Sequence, residues 1–201
     1  AFDKAVRDAV AHDSLTSELM DAMLTARATL WKQYCRLHDL VVRFVAGHEL
    51  CRRFLQIPGV GPVTALSVMT AIDDPSRFRR SRDVAAYFGL TSRRWQSGTS
   101  IDVQGRISKA GDPDVRRALY EAASALLTRF KRKDKVKTWG MSIAKRACHR
   151  KAVVAVARKL AVIMHAMWVD GTVYVGDPAA GEQDVAARAA LKDRKLLGAH
   201  R

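Results

Sequence analysis

A mostly α-helical fold is predicted by three features of this 201-residue sequence. A long apolar seam with helical spacing lies near the N-terminus, a second apolar stretch covers Ala152 to Val169, and Pro and Gly stand where helices start and stop. The seam is Leu15, Leu19, Met23, Ala26, Leu30, Tyr34, Leu37, Val41 and Phe44, always three or four residues apart. That spacing is close to a heptad repeat, and no Pro or Gly interrupts it before Gly47. Asp13 or Ser14 would cap its start. The expectation is a long coiled-coil-like helix that seeks a partner helix. Packing of the same seam on its own domain is the alternative that the spacing leaves open.

The remaining elements follow in order. A helix over His48–Leu55 runs into Ile57-Pro58-Gly59-Val60-Gly61-Pro62, and Pro62 suits the first turn of a helix from Val63 to Ile72. Asp73-Asp74-Pro75 stops it. Ser81–Phe88 reads as a short helix ended by Gly89. Thr91 to Gly111, dense in Ser, Arg and Gly, is predicted to be an irregular loop. Asp112 caps and Pro113 opens a helix to about Phe130. Further helices are expected over Thr138–Cys148 and Lys151–Val169. The tail after Asp170 is expected to be loosely ordered, with one helix near Asp184–Leu197. Three regions result: a helical arm over 1–49, a helical domain over 50–169, and the tail over 170–201.

Apolar residues make up 48% of the chain and charged residues 27%, which supports a sizeable core and excludes wholesale disorder. The net charge is +15. Between Ser76 and Leu160 there are 22 Lys/Arg against 6 Asp/Glu, whereas the rest holds 13 against 14, so the positive field comes from one central block. Such a block predicts a polyanionic partner. Cys35, Cys51 and Cys148 form no C-x-x-C pair, which supports neither a disulfide framework nor a structural zinc site, and no metal ligands are assigned. No leader peptide is read at the start. Arg158, Lys159 and His165 interrupt the most apolar stretch, so no membrane span is expected.

Two segments carry candidate chemistry. The first is Ile57 to Leu66, where a tight Gly-x-Gly turn between apolar helices brings backbone N–H groups up to a phosphate. This is the pattern of a helix-hairpin-helix element, with Gly59, Gly61 and Thr64 as its contacts to a nucleic-acid backbone. A plain helix–helix turn is the other reading. A dinucleotide site would want a third glycine where Thr64 stands. The second is Gly89 to Leu119, which concentrates guanidinium forks and hydroxyls before a capped helix. Arg93, Arg94, Arg106 and Lys109 are expected to neutralise phosphate, and Ser108 to touch it. Arg116 and Arg117 begin the following helix, as phosphate contacts or as a solvated face. Ser97, between Gln96 and Gly98, is the serine with least steric shielding, although an S-G pair by itself signals a turn. Trp95 could stack on a base. The run Lys131-Arg132-Lys133 is read as a non-specific nucleic-acid contact, against the alternative of a solvated linker.

The order of these motifs resembles one family. I-P-G-V-G-P-x-T-A is followed by R-F-R, A-A-Y-x-G-L-T, Q-S-G and R-I-S-K-A-G-x-x-x-x-R-R-A-L. Over about Leu50 to Trp168 the chain resembles the C-terminal domain of the insertion-sequence transposases grouped as 110/116/902, bridge-RNA-guided serine recombinases. The resemblance implies that Ser97 is the nucleophile and that a 5′-phosphoserine link holds the cut strand. It implies DNA and a bridge RNA as partners, a homodimer or homotetramer built through the arm, and a bacterial, nucleoid-associated, cytoplasmic setting. It also implies Mg²⁺ held by an N-terminal RuvC-like acidic domain, a pattern that the first 50 residues do not carry. No metal is then assigned to this chain, and its chemistry would be incomplete without that domain. The competing expectation is a non-catalytic helix-hairpin-helix module that only holds nucleic acid.

Overall fold

A computed structural model describes residues 2–97 and 101–176, and the side chains of these except at 95–97 and 101–104. The helix expected near Asp184–Leu197 lies outside the described residues. Helices dominate, as the sequence predicts, and the chain divides into two compact units, residues 1–44 and 45–201.

The first unit holds α1 (Phe2–Val10) and most of α2 (Ser14–Gly47). Asp13 caps α2: its carboxylate accepts the Leu15 N–H at 3.2 Å and the Thr16 hydroxyl, which holds its pKa below the ordinary value. The ion pairs Asp3–Arg27 and Arg7–Asp21 lay α1 back along α2 in antiparallel register. Leu24 is buried, but Leu15, Leu19, Met23, Leu30, Tyr34 and Leu37 are each more than half exposed. Among the described residues, most of the apolar seam is thus an exposed helix face.

The second unit is built from α3 (Glu49–Phe54), α4 (Pro62–Ile72), α5 (Ser81–Tyr87), α6 (Pro113–Thr128), α7 (Lys135–Arg146) and α8 (His149–Asp170). A single turn of 3-10 helix, Pro75–Arg77, joins α4 to α5. Helix α8 is apolar enough, and long enough, to cross a bilayer by length and composition. Here it serves as the core helix: Ala152, Val153, Val156, Ala157, Leu160, Ala161, Met164 and Met167 are buried, and α3, α5, α6 and α7 pack on it. His165 is buried among them. Its Nε2 lies 3.0 Å from the Pro75 carbonyl and its Nδ1 3.1 Å from Ser81 Oγ, so both ring nitrogens are satisfied and α8 is tied to the start of α5.

Two elements differ from the sequence expectation. The stretch expected as an irregular loop is an antiparallel hairpin, β1 (Ser92–Ser97) and β2 (Ile101–Ile107), with Trp95 opposite Val103, Ser97 opposite Ile101, and an irregularity between Ser92 and Arg94. Ile101, Val103 and Ile107 stand at alternate positions and favour a strand. Helix α7 begins at Lys135 rather than Thr138, because Asp134 accepts the N–H groups of Val136 (2.8 Å) and Lys137 (2.9 Å) and caps it. The cation run therefore ends inside a helix.

After α8 the chain turns at Gly171 and returns along α7. The Lys135 N–H donates to the Gly176 carbonyl at 2.8 Å, and the Tyr174 hydroxyl donates to Asp134 Oδ2 at 2.7 Å. Burial, and then the bond to Asp134, push the Tyr174 phenol well above its ordinary pKa of about 10. A raised folded-state value favours the protonated form, so its stabilisation is complete below about pH 10 and is lost as pH rises beyond. Tyr174→Phe should lower the melting temperature at neutral pH and shrink the gap to wild type above pH 10. Melting curves across pH 8 to about 11.5 check this; a gap that does not change with pH would show the phenol proton to be irrelevant.

Candidate nucleic-acid interface

The hairpin is fixed at its base. Gly89 ends the α5 segment at φ +68, and a Cβ there would sit 2.6 Å from the Ala110 nitrogen, so only glycine fits. Lys109, itself at φ +56, donates its N–H to the Gly89 carbonyl at 3.1 Å, and Ser108 N–H donates to the Thr91 carbonyl at 2.8 Å. Arg116 reaches back from α6: its Nη1 donates to the carbonyls of Gly111 (2.9 Å) and Phe88 (3.1 Å). Asp112 caps that helix by accepting Asp114 N–H at 2.7 Å and Val115 N–H at 3.2 Å. The strands thus rise from a turn that is locked by backbone bonds and one guanidinium.

Around this base, Arg93, Arg94, Arg106 and Lys109 are exposed, and Arg93 Nη2 donates to the Ser108 carbonyl at 3.1 Å. Ser97 is the last residue of β1, paired with Ile101 at the far end of the hairpin; its side chain and that of Trp95 lie outside the described ones. Ser108 is half-buried at the base. Arg117 is exposed and pairs with Asp114 at 3.5 Å, one turn back on α6. Arg116, expected as a phosphate contact or part of a solvated face, is half-buried and directed at main-chain carbonyls, where it holds the hairpin base. Sequence reasoning missed Arg79, Arg80 and Arg82, three exposed guanidiniums at the start of α5, whose far end carries Gly89. Their signal was the arginine run after Phe78.

The α3–α4 turn separates its expected contacts. Gly59 has φ +88, and a Cβ there would lie 2.3 Å from the Ala122 carbonyl oxygen and 2.9 Å from the Leu126 nitrogen. Its glycine is demanded by the close approach of the turn to α6. Gly61, the residue before α4, has φ −99 and nothing within 4 Å of a Cβ, so packing asks for no glycine there. Thr64, expected as a backbone contact, is buried, with its hydroxyl 3.5 Å from the Ala118 carbonyl on α6, because the first turn of α4 faces inward at that position. Lys131, Arg132 and Lys133 are exposed just before α7. Among the described residues, no group of three His, Cys, Asp or Glu is placed to hold a metal ion.

Residues 51–139 match the family model described as the IS116/IS110/IS902 transposase family. The chain is similar to the transposase for insertion sequence element IS1111A of Coxiella burnetii, at 40% identity over 121 residues, which are 60% of this chain and 33% of that protein. It is 28% identical over 177 residues to a putative transposase of Sinorhizobium fredii, covering 85% of this chain and 46% of the relative. It is 32% identical over 122 residues to the pilin gene-inverting protein of Moraxella bovis, covering 55% and 34%. The chain thus spans between a third and a half of the length of these relatives.

The two glycines of the α3–α4 turn should part on substitution. Gly59→Ala meets both a left-handed φ and backbone overlap and should lose about 3 kcal/mol or more. Gly61→Ala should cost about 1 kcal/mol or less, the price of alanine before a helix. Urea denaturation of both variants checks the pair, and equal losses would contradict the packing described.

Proposed function

We propose, on the premise that residues 51–139 form a transposase domain of the IS116/IS110/IS902 family, that this chain binds DNA and supplies the serine nucleophile of a strand-transfer reaction. One observation carries the reading: Ser97 closes β1 at the end of a hairpin whose base is locked by Gly89 and Arg116 and ringed by exposed cations. A nucleophile must be held to within fractions of an ångström, and a strand gives better positioning than a free loop.

In the proposed step, Ser97 Oγ attacks the scissile phosphorus, a 5′-phosphoserine forms, and the strand leaves with a free 3′-hydroxyl. The serine proton passes to a base and the departing oxygen gains one. Arg93, Arg94, Arg106 and Lys109 stand toward the hairpin base, several strand residues from Ser97, so they hold the phosphates that flank the cut and neutralise the backbone there. Rejoining reverses the step with a 3′-hydroxyl from another duplex. No carboxylate is assigned as the base. The reading gives the base and Mg²⁺ to a RuvC-like domain, and the choice of target to pairing with a bridge RNA. Lys131, Arg132 and Lys133 add contacts to nucleic acid, and the setting is the bacterial cytoplasm at the nucleoid.

A second reading, a helix-hairpin-helix module without catalysis, is favoured by the open approach to Gly61. The test is trapping on nicked suicide DNA, with Mg²⁺, bridge RNA and a RuvC-like domain supplied. The expected result is a covalent adduct from wild type and none from Ser97→Ala, with DNA affinity unchanged. An adduct from Ser97→Ala would overturn the nucleophile. No wild-type adduct, with tight DNA binding weakened by Gly61→Ala, would favour the module.

The exposed seam of α2 is read as a coiled-coil surface for a second copy of the chain. Leu30→Glu with Leu37→Glu should convert a dimer or tetramer to monomer in light scattering. A wild-type monomer at every concentration would exclude this assembly.

A further inference from the structure

Helix α7 and the chain returning from α8 enclose an open groove of about 520 Å³, lined by Lys133, Lys135, Thr138, Trp139, Ser142 and Gly176 among others. Trp139 is 37% exposed, although an indole is normally covered by the core it stands on. The Lys159 ammonium lies over its ring at 4.7 Å from the centroid, and the Lys135 ammonium lies 6.0 Å from the Tyr174 ring centroid. Lys131, Arg132 and Lys133 flank the same opening in sequence, all exposed. The end of α7 is not what attracts a ligand, because Asp134 already accepts its free N–H groups.

We infer that this groove takes a single-stranded segment of nucleic acid, with one base stacked on the Trp139 face that Lys159 leaves open and the adjoining phosphates on Lys133 and Lys135. The inference rests on the reading that the chain handles nucleic acid, and it names the form and the residues for one part of that contact. The reasons are chemical. A volume of this size suits a single nucleotide, since pockets for compact ligands run from about 300 to 1,000 Å³. The bases of a duplex are stacked on one another and cannot offer a face to an indole, whereas a single strand can. The Lys133 and Lys135 ammonium groups on the groove wall suit the phosphates next to the stacked base, and the surrounding positive block selects a polyanion over a neutral aromatic. Lysines give point-like contacts without base reading, so the segment would be held with little sequence preference.

The test is fluorescence anisotropy with labelled oligo-dT and oligo-rU of about ten nucleotides, a length within the usual site size for such grooves, alongside a blunt duplex. Trp139→Ala should weaken binding of the single strands by roughly 5- to 150-fold, the range for loss of one base stack. Duplex affinity should change less than about twofold, within the error of the stack estimate. Trp139→Phe, which keeps a ring, should retain most of the affinity, and melting curves report whether each variant folds. Should Trp139→Ala prove unfolded, Lys133→Glu on the exposed rim takes its place and should weaken single strands more than duplex. Preference for rU identifies the segment as RNA, and preference for dT as a displaced DNA strand; either supports the site. Single-strand binding untouched by folded Trp139→Ala, or equal loss on duplex, overturns it. Wild-type duplex binding and the Ser97 adduct are independent readouts, so this inference can fail while the proposed reaction stands.

Discussion

The second unit depends on the need to cover α8. Few helices in a chain this rich in cations are so apolar, and burying one side chain of the Val, Leu or Met class is worth roughly 1.5–3 kcal/mol relative to water. Helices α3, α5, α6 and α7 are the cover. His165, a fully buried polar side chain in that interface, is tolerated because both ring nitrogens have partners, Ser81 and the Pro75 carbonyl. Those partners belong to the segment that leads into α5. The same contact that permits a buried imidazole therefore orients α5, and with it the turn at Gly89 from which the hairpin rises.

From that turn outward the structure changes character. Inside, apolar area does the holding. At the hairpin base the work passes to main-chain hydrogen bonds and to the Arg116 guanidinium, whose donors satisfy carbonyls that a strand-to-helix turn would leave without partners. Around and beyond the base, Arg93, Arg94 and Arg106 are exposed and give the described surface a positive character. A graded arrangement of this kind suits a part that must be held firmly at one end and meet a phosphate backbone at the other.

The helices were legible because their signals are local. Asp112-Pro113 and Gly61-Pro62 mark starts, and the three-four spacing from Leu15 to Phe44 marks α2. The hairpin was hidden by its composition: Ser, Arg and Gly read as loop, and the alternation of Ile101, Val103 and Ile107 is only three residues strong. The start of α7 was missed because Asp134 sits in a run of cations and looks like one more surface charge, when it is buried as a cap. Candidate contacts were harder still. Nothing in the residue type distinguishes Arg116, bound to carbonyls, from Arg117 beside it, and Thr64 could be placed inside only by knowing that α6 lies across α4. Trp139 stood out only once its exposure and its neighbour Lys159 were known. Which cation is structural depends on contacts from distant segments, and a single sequence holds no trace of those.

The two glycines of the α3–α4 turn also record different histories. Gly59 answers to the backbone of α6, so it would be retained in any descendant that keeps this pair of helices, including one that had abandoned nucleic acid. At Gly61 a Cβ would meet nothing within 4 Å among the described residues. The persistence of this glycine across descendants would track an outside partner, and its drift to larger residues would date the moment that partner was lost.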